Sequence, residues 1–131
     1  MRRIVRTEAS GLVTYDDLAR HLTEEARDDA LGFAEVIDGR GAATDITPQQ
    51  VRALVARTDA LLRQGRLGAV AIVTDSDFAF GMARMYQILA EPLPVQIGVF
   101  RTLDEATAWR RGDTSADVGH CHASTRLAAG K

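Results

Sequence analysis

Apolar positions along the chain change period from block to block, and the changes mark out the elements. Arg3–Glu8 is short and β-branched, and Ser10-Gly11 turns it toward Leu12–Val13, a pattern that predicts an edge hairpin. Thr14 then caps a helix in which Tyr15, Leu18, Leu22 and Ala26 recur at helical spacing. Asp16 and Asp17 fall in its first turn, where the helix dipole favours carboxylates, and His21, Glu24, Glu25 and Arg27 take the opposite face. Gly32 ends it. FAEVID (33–38) reads as a strand running into a polar loop, 39–46. Thr47-Pro48-Gln49-Gln50 opens the next helix with a cap, a first-position proline and a third-position glutamine; Val51, Leu54, Val55, Thr58 and Leu62 form its inward stripe and Gly65 stops it. AVAIVT (69–74) is apolar on both faces, as a central parallel strand should be. A helix from Ser76 to Glu91 follows, closed by Pro92 and Pro94, then a strand VQIGVF (95–100) and a helix around Trp109 opened by Thr102-Leu103-Asp104-Glu105.

Strands alternating with helices imply crossover connections, hence an α/β fold with a mostly parallel sheet and helices packed on it. After Gly112 the pattern dissolves into small and polar residues. Residues 1–112 are therefore expected to form a single domain, and 113–131 a flexible C-terminal tail.

Bulk composition narrows the function classes. The 131 residues suffice for one real core, and a formal net charge of -2 gives no attraction for phosphate backbones, so nucleic acid is not an expected partner. Arginine supplies all the positive charge except Lys131, a skew that reads as codon usage rather than anion binding. A lone cysteine, Cys121, rules out an intrachain disulfide framework and fits a reducing compartment. The N-terminal residues carry no signal-peptide pattern and no apolar run is long enough to span a bilayer; a cytoplasmic location is expected.

Several segments in this order resemble a STAS-type domain of the SpoIIAA-like branch of small bacterial proteins. They are Thr14-Tyr15-Asp16-Asp17-Leu18, Val36-Ile37-Asp38, Phe80-Gly81-Met82-Ala83-Arg84-Met85-Tyr86, and Phe100-Arg101 through Glu105-Ala106 and Trp109. The resemblance spans roughly residues 11–110. It implies a mixed, mostly parallel sheet of about five strands flanked by about four helices, and a non-enzymatic role. The family's anti-sigma-factor antagonists carry a phosphorylatable serine where this chain reads Thr44-Asp45-Ile46-Thr47-Pro48, so Thr44 and Thr47 are the weak candidate phosphoacceptors of a phosphorelay switch. Lipid-transfer domains of the CRAL-TRIO type have similar folds, an analogy for apolar-ligand binding.

In open α/β sheets polar ligand groups collect beyond the carboxyl ends of the strands. That rule gathers Asp38, Arg40, Asp75, Ser76, Asp77 and Arg101 at one rim. Asp75, Ser76 and Asp77 precede a helix and read first as caps; Asp38 reads equally as turn-pinning or as a polar site. His120-Cys121-His122 has ligand types suited to zinc or copper, but adjacent residues rarely reach one ion together and His21 is remote, so no metal site and no cofactor are expected. No paired-carboxylate signature, GxGxxG or P-loop is present, and no enzyme activity is expected.

The helix between Ser76 and Glu91 carries more apolar surface than a small domain covers. Phe78, Met82, Met85 and Leu89 are expected to face the sheet, while Phe80, Tyr86 and Ile88 lie elsewhere around the cylinder. Gly81 in mid-helix costs about 1 kcal/mol relative to alanine and suggests close approach of another backbone or a ligand. Phe80, Gly81, Met82, Arg84, Met85 and Tyr86 thus form the expected contact surface, covered by a second copy in a homodimer or by another protein. The rival expectation is a small apolar, lipid-like ligand held beneath the helix, to which methionines adapt well.

Overall fold

A computed structural model of the chain describes residues 4–27, 34–65, 68–113 and 122–127. The elements are β1 (Ile4–Ala9), β2 (Leu12–Val13), α1 (Tyr15–Arg27), β3 (Ala34–Asp38), β4 (Ala43–Thr44), α2 (Pro48–Leu62), β5 (Val70–Val73), α3 (Asp77–Leu89), β6 (Ile97–Phe100), α4 (Leu103–Asp113) and β7 (His122–Leu127). The fold is α/β as expected. Five strands form one sheet in the order β6–β5–β3–β1–β7, parallel at every pairing, and β2 pairs with β4 in a separate two-stranded parallel ribbon.

Local chemistry starts each helix where the sequence predicts it. Thr47 completes a capping box with Gln50 ahead of Pro48. Thr14 and Asp17 make a second box, each side chain accepting the other's backbone N–H, and Thr102 and Glu105 a third. Ser76 accepts the Ala79 N–H at the start of α3.

Topology then divides the helices. Each crossover from β1 to β3, β5 and β6 steps the same way along the sheet, and right-handed connections place α1, α2 and α3 on one face. The single step in the other direction, β6 back to β7, carries α4 on the opposite face, where Ala106, Leu103 and Trp109 pack on Val36, Ala71, Val73 and Phe100. A Cβ on Gly98 would lie 2.7 Å from the Phe100 ring and 3.1 Å from Trp109, so glycine here lets both rings settle against the strand. Phe100 and Trp109 meet with centroids 5.6 Å apart at 50°.

Two expectations about the chain ends are corrected. The edge hairpin does not form: β1 lies inside the sheet between β3 and β7, and Gly11, at φ +70°, turns β2 out toward β4. The tail assigned to 113–131 contains strand β7, which pairs with β1 in register Ile4↔His122 to Ala9↔Leu127. Pairing of the β1 backbone orders a segment whose mostly small and polar side chains hide its strand character.

Candidate functional site

α1, α2 and α3 do not close down on the sheet. Between them and the strand residues Glu35, Ile37, Val70 and Ile72 lies a cavity of about 160 Å³, with an almost wholly apolar lining. Leu18 and Leu22 of α1, Val51 and Leu54 of α2, and Ala79, Met82 and Ala83 of α3 form its roof. Well-packed interiors hold few voids larger than one water molecule, so the volume is unusual for a domain of this size. Its effect shows in exposure: Ile37 and Ile72 sit at the centre of the sheet beneath three helices, yet neither is fully buried.

Three polar side chains meet at the wall of this cavity. Glu35, His21 and Thr7 are 3%, 6% and 0% exposed. The Thr7 hydroxyl donates to Glu35 Oε2 at 2.6 Å, and His21 Nε2 lies 2.7 Å from the same oxygen. Glu35 and His21 both line the cavity. Sequence reasoning put His21 on the outer face of α1; in the structure it is turned inward beside Leu18 and Leu22, because the buried Glu35 needs a partner. Glu35 itself was missed. Its signal was a charged residue inside the apolar run FAEVID, on the face that α1 must cover. Phe33 of that run lies outside the described residues.

Tyr86 closes the far wall. The single proton of Thr58 goes to the Leu54 carbonyl at 2.9 Å, so the Tyr86 hydroxyl, 2.8 Å away, donates to Thr58 and ties α3 to α2. Gln87 reaches the Ile97 carbonyl at 2.7 Å, and Arg101 stacks 4.1 Å over Phe80. These tethers fix the rotation of α3 and overturn the expected phase. Ala79, Met82, Ala83 and Tyr86 face inward, whereas Phe78, Ile88 and Leu89 are 53%, 55% and 37% exposed. Phe78 and Leu89 therefore do not face the sheet. A Cβ on Gly81 would meet nothing within 4 Å, so among the described residues no neighbouring element approaches it closely. The six residues expected to share one surface are split: Met82 and Tyr86 line the cavity, Phe80 lies under Arg101, Met85 is half-buried, and Gly81 and Arg84 face outward, Arg84 bonded to Gln87.

The polar rim also divides. Asp38 accepts from Arg40 Nε (2.8 Å) and Nη2 (2.7 Å) and from Arg6 Nη2 at 3.1 Å. The Arg40 hydrogen bonds, joined by Arg6, hold its carboxyl below the ordinary aspartate range against the opposing effect of burial. Asp75 accepts the Gly41 N–H at 3.1 Å, Ser76 caps α3, and Asp77 pairs with Arg101 at 2.8 Å. Each of these six side chains is thus held by the chain itself. Thr44 donates to the Val13 carbonyl at 2.7 Å and Thr47 accepts the Gln50 N–H. Both hydroxyls hold backbone groups in place, and Thr44 also lines the cavity.

No cluster of three metal-ligating side chains occurs among the described residues, and no described helix is long and apolar enough to cross a membrane. His120 and Cys121 lie outside the described residues. The chain matches no protein-family model, and neither curated proteins nor solved structures gave a match.

Proposed function

We propose that this protein is a non-catalytic binding module that takes up a small apolar molecule between α1–α3 and the sheet. The observation that carries the reading is the cavity itself, which leaves the central strand residues Ile37 and Ile72 incompletely covered in a fold that normally buries them. Apolar cavities of about 150 Å³ in other proteins stay dry and take up benzene-sized ligands, so a ligand of that scale fits here. Met82 supplies an adaptable wall, and Ala79 and Ala83 of α3 beside it leave room. The resemblance to STAS-type domains and the analogy with CRAL-TRIO lipid-transfer domains support binding over catalysis, and the reading needs no metal or cofactor. A cytoplasmic setting fits the single cysteine.

Native mass spectrometry of freshly purified protein tests the reading. A retained small molecule, released on unfolding and diminished in Ala83→Leu, is the expected result. Protein that emerges empty and fails to take up toluene overturns it.

A second reading rests on the other side of α3, where Phe78, Ile88 and Leu89 are exposed beside Gly81. Each large apolar side chain withdrawn from water contributes about 1.5–3 kcal/mol, so a second copy covering this strip would gain substantially. Residues 78–90 would then be the contact helix of a homodimer. Light scattering at micromolar concentration should give a dimer mass that falls to monomer in Phe78→Glu; a monomer in both removes this reading.

A further inference from the structure

Resting on the cavity reading above, we infer that the ligand carries a neutral oxygen acceptor of the ketone type, which takes the proton of the buried Thr74 hydroxyl. Thr74 follows β5 directly, and its N–H still donates to the Phe100 carbonyl at 3.0 Å, so the extended backbone continues through it. Strand alternation therefore turns its side chain to the face of Val70 and Ile72, where it lines the cavity. Thr74 is 4% exposed, and its Oγ1 is buried without a hydrogen-bond partner among the described residues. A valine of the same shape would close this wall without that deficit, since a buried hydroxyl left unpaired weakens the fold.

The other polar side chains of the described lining are engaged by the chain itself. Glu35 holds Thr7 and His21, Thr44 donates to the Val13 carbonyl, and Tyr86 is tied to Thr58. Glu35 also sits opposite Val70, four residues back from Thr74, or roughly 13 Å along the strand. The orphan hydroxyl thus marks the other end of the cavity, at the carboxyl end of β5, where ligands of open α/β sheets gather. A hydroxyl has one proton and two lone pairs, and an unused donor is the costlier deficit, which selects an acceptor on the ligand. A lone water substitutes poorly, because it needs several polar partners and the lining is almost wholly apolar. A volume of about 160 Å³ limits the frame around that oxygen to a single ring or a short branched chain.

The test is an NMR titration of the full chain with cyclohexanone and its hydrocarbon isostere methylenecyclohexane, each measured on the unaltered protein and on Thr74→Val. Water releases the hydrocarbon more readily than the ketone, so the diagnostic is how the ratio of the two affinities changes with the substitution. Thr74→Val should lower cyclohexanone affinity about tenfold relative to methylenecyclohexane, the loss expected for one buried hydrogen bond. Infrared spectra of bound cyclohexanone read the same contact without any variant, should Thr74→Val fail to fold: the carbonyl stretch should lie below its frequency in hexane. A ratio unchanged in Thr74→Val, or a stretch equal to that in hexane, overturns the inference and leaves the cavity reading standing. Failure of both probes to bind overturns both.

Discussion

The two faces of one sheet are built from alternate residues of the same strands, yet they pack to different standards. Toward α4, Val36, Ala71 and Val73 are buried against Ala106, with the Phe100 and Trp109 rings so close to Gly98 that a side chain there would force them to shift. Toward α1–α3, Ile37, Val70 and Ile72 look into open volume. A single helix covers one face better than three cover the other. The difference lies in what fills the gap: α4 brings an indole and a tilted Phe100, whereas α3 brings alanines and a methionine. Space of this kind lowers stability, because lining atoms lack partners, and its persistence beside a buried polar cluster points to use.

Opposite responses to added volume are the sharpest way to break this contrast. Ala71→Leu should overpack the α4 face and cost about 2–3 kcal/mol in urea unfolding. Ala83→Leu adds the same side chain above the cavity and should be neutral or stabilise by up to about 1 kcal/mol. Equal losses at both sites would show that the two faces are packed alike.

Thr74 sharpens the comparison at intermediate size. It lies at the end of the cavity, buried, with a hydroxyl that has no partner among the described residues. Thr74→Val keeps the shape and removes that unsatisfied group, and should raise stability by about 1 kcal/mol. A loss would mean that the hydroxyl is engaged and that this end of the cavity is as well ordered as the α4 face.

Acid should act on the periphery of both faces. Asp38 is held below the ordinary range chiefly by Arg40, and Asp17 chiefly by the Thr14 N–H and then by Arg20. A carboxyl that titrates lower when folded contributes stability above its unfolded pKa of about 3.9 and loses it as pH falls through the folded value. Thermal stability should therefore fall from about pH 4 downward, and Asp38→Asn should flatten that slope; an unchanged slope contradicts the Arg40 pairing.

Elements were more legible in the sequence than their surroundings. The capping boxes at Thr14, Thr47 and Thr102 are local in the chain, so spacing alone located α1, α2 and α4. β7 was invisible because its order comes from the backbone of β1, more than a hundred residues earlier. The rotation of α3 was misjudged for a related reason. Apolar residues surround that helix, and its phase is set by Tyr86 on Thr58 and Gln87 on Ile97, contacts that helical periodicity does not encode. Glu35 and His21 lie 14 positions apart and each looks unremarkable alone; only the packing of α1 on β3 makes them a pair.

Methyl NMR during a toluene titration tests the central claim most directly. Shifts at cavity-lining methyls such as Ile37, Ile72 and Met82, with Val36 and Ala71 unmoved and saturation reached, are the expected result. No shift at any methyl up to the solubility limit of toluene would contradict a binding cavity on this face of the sheet.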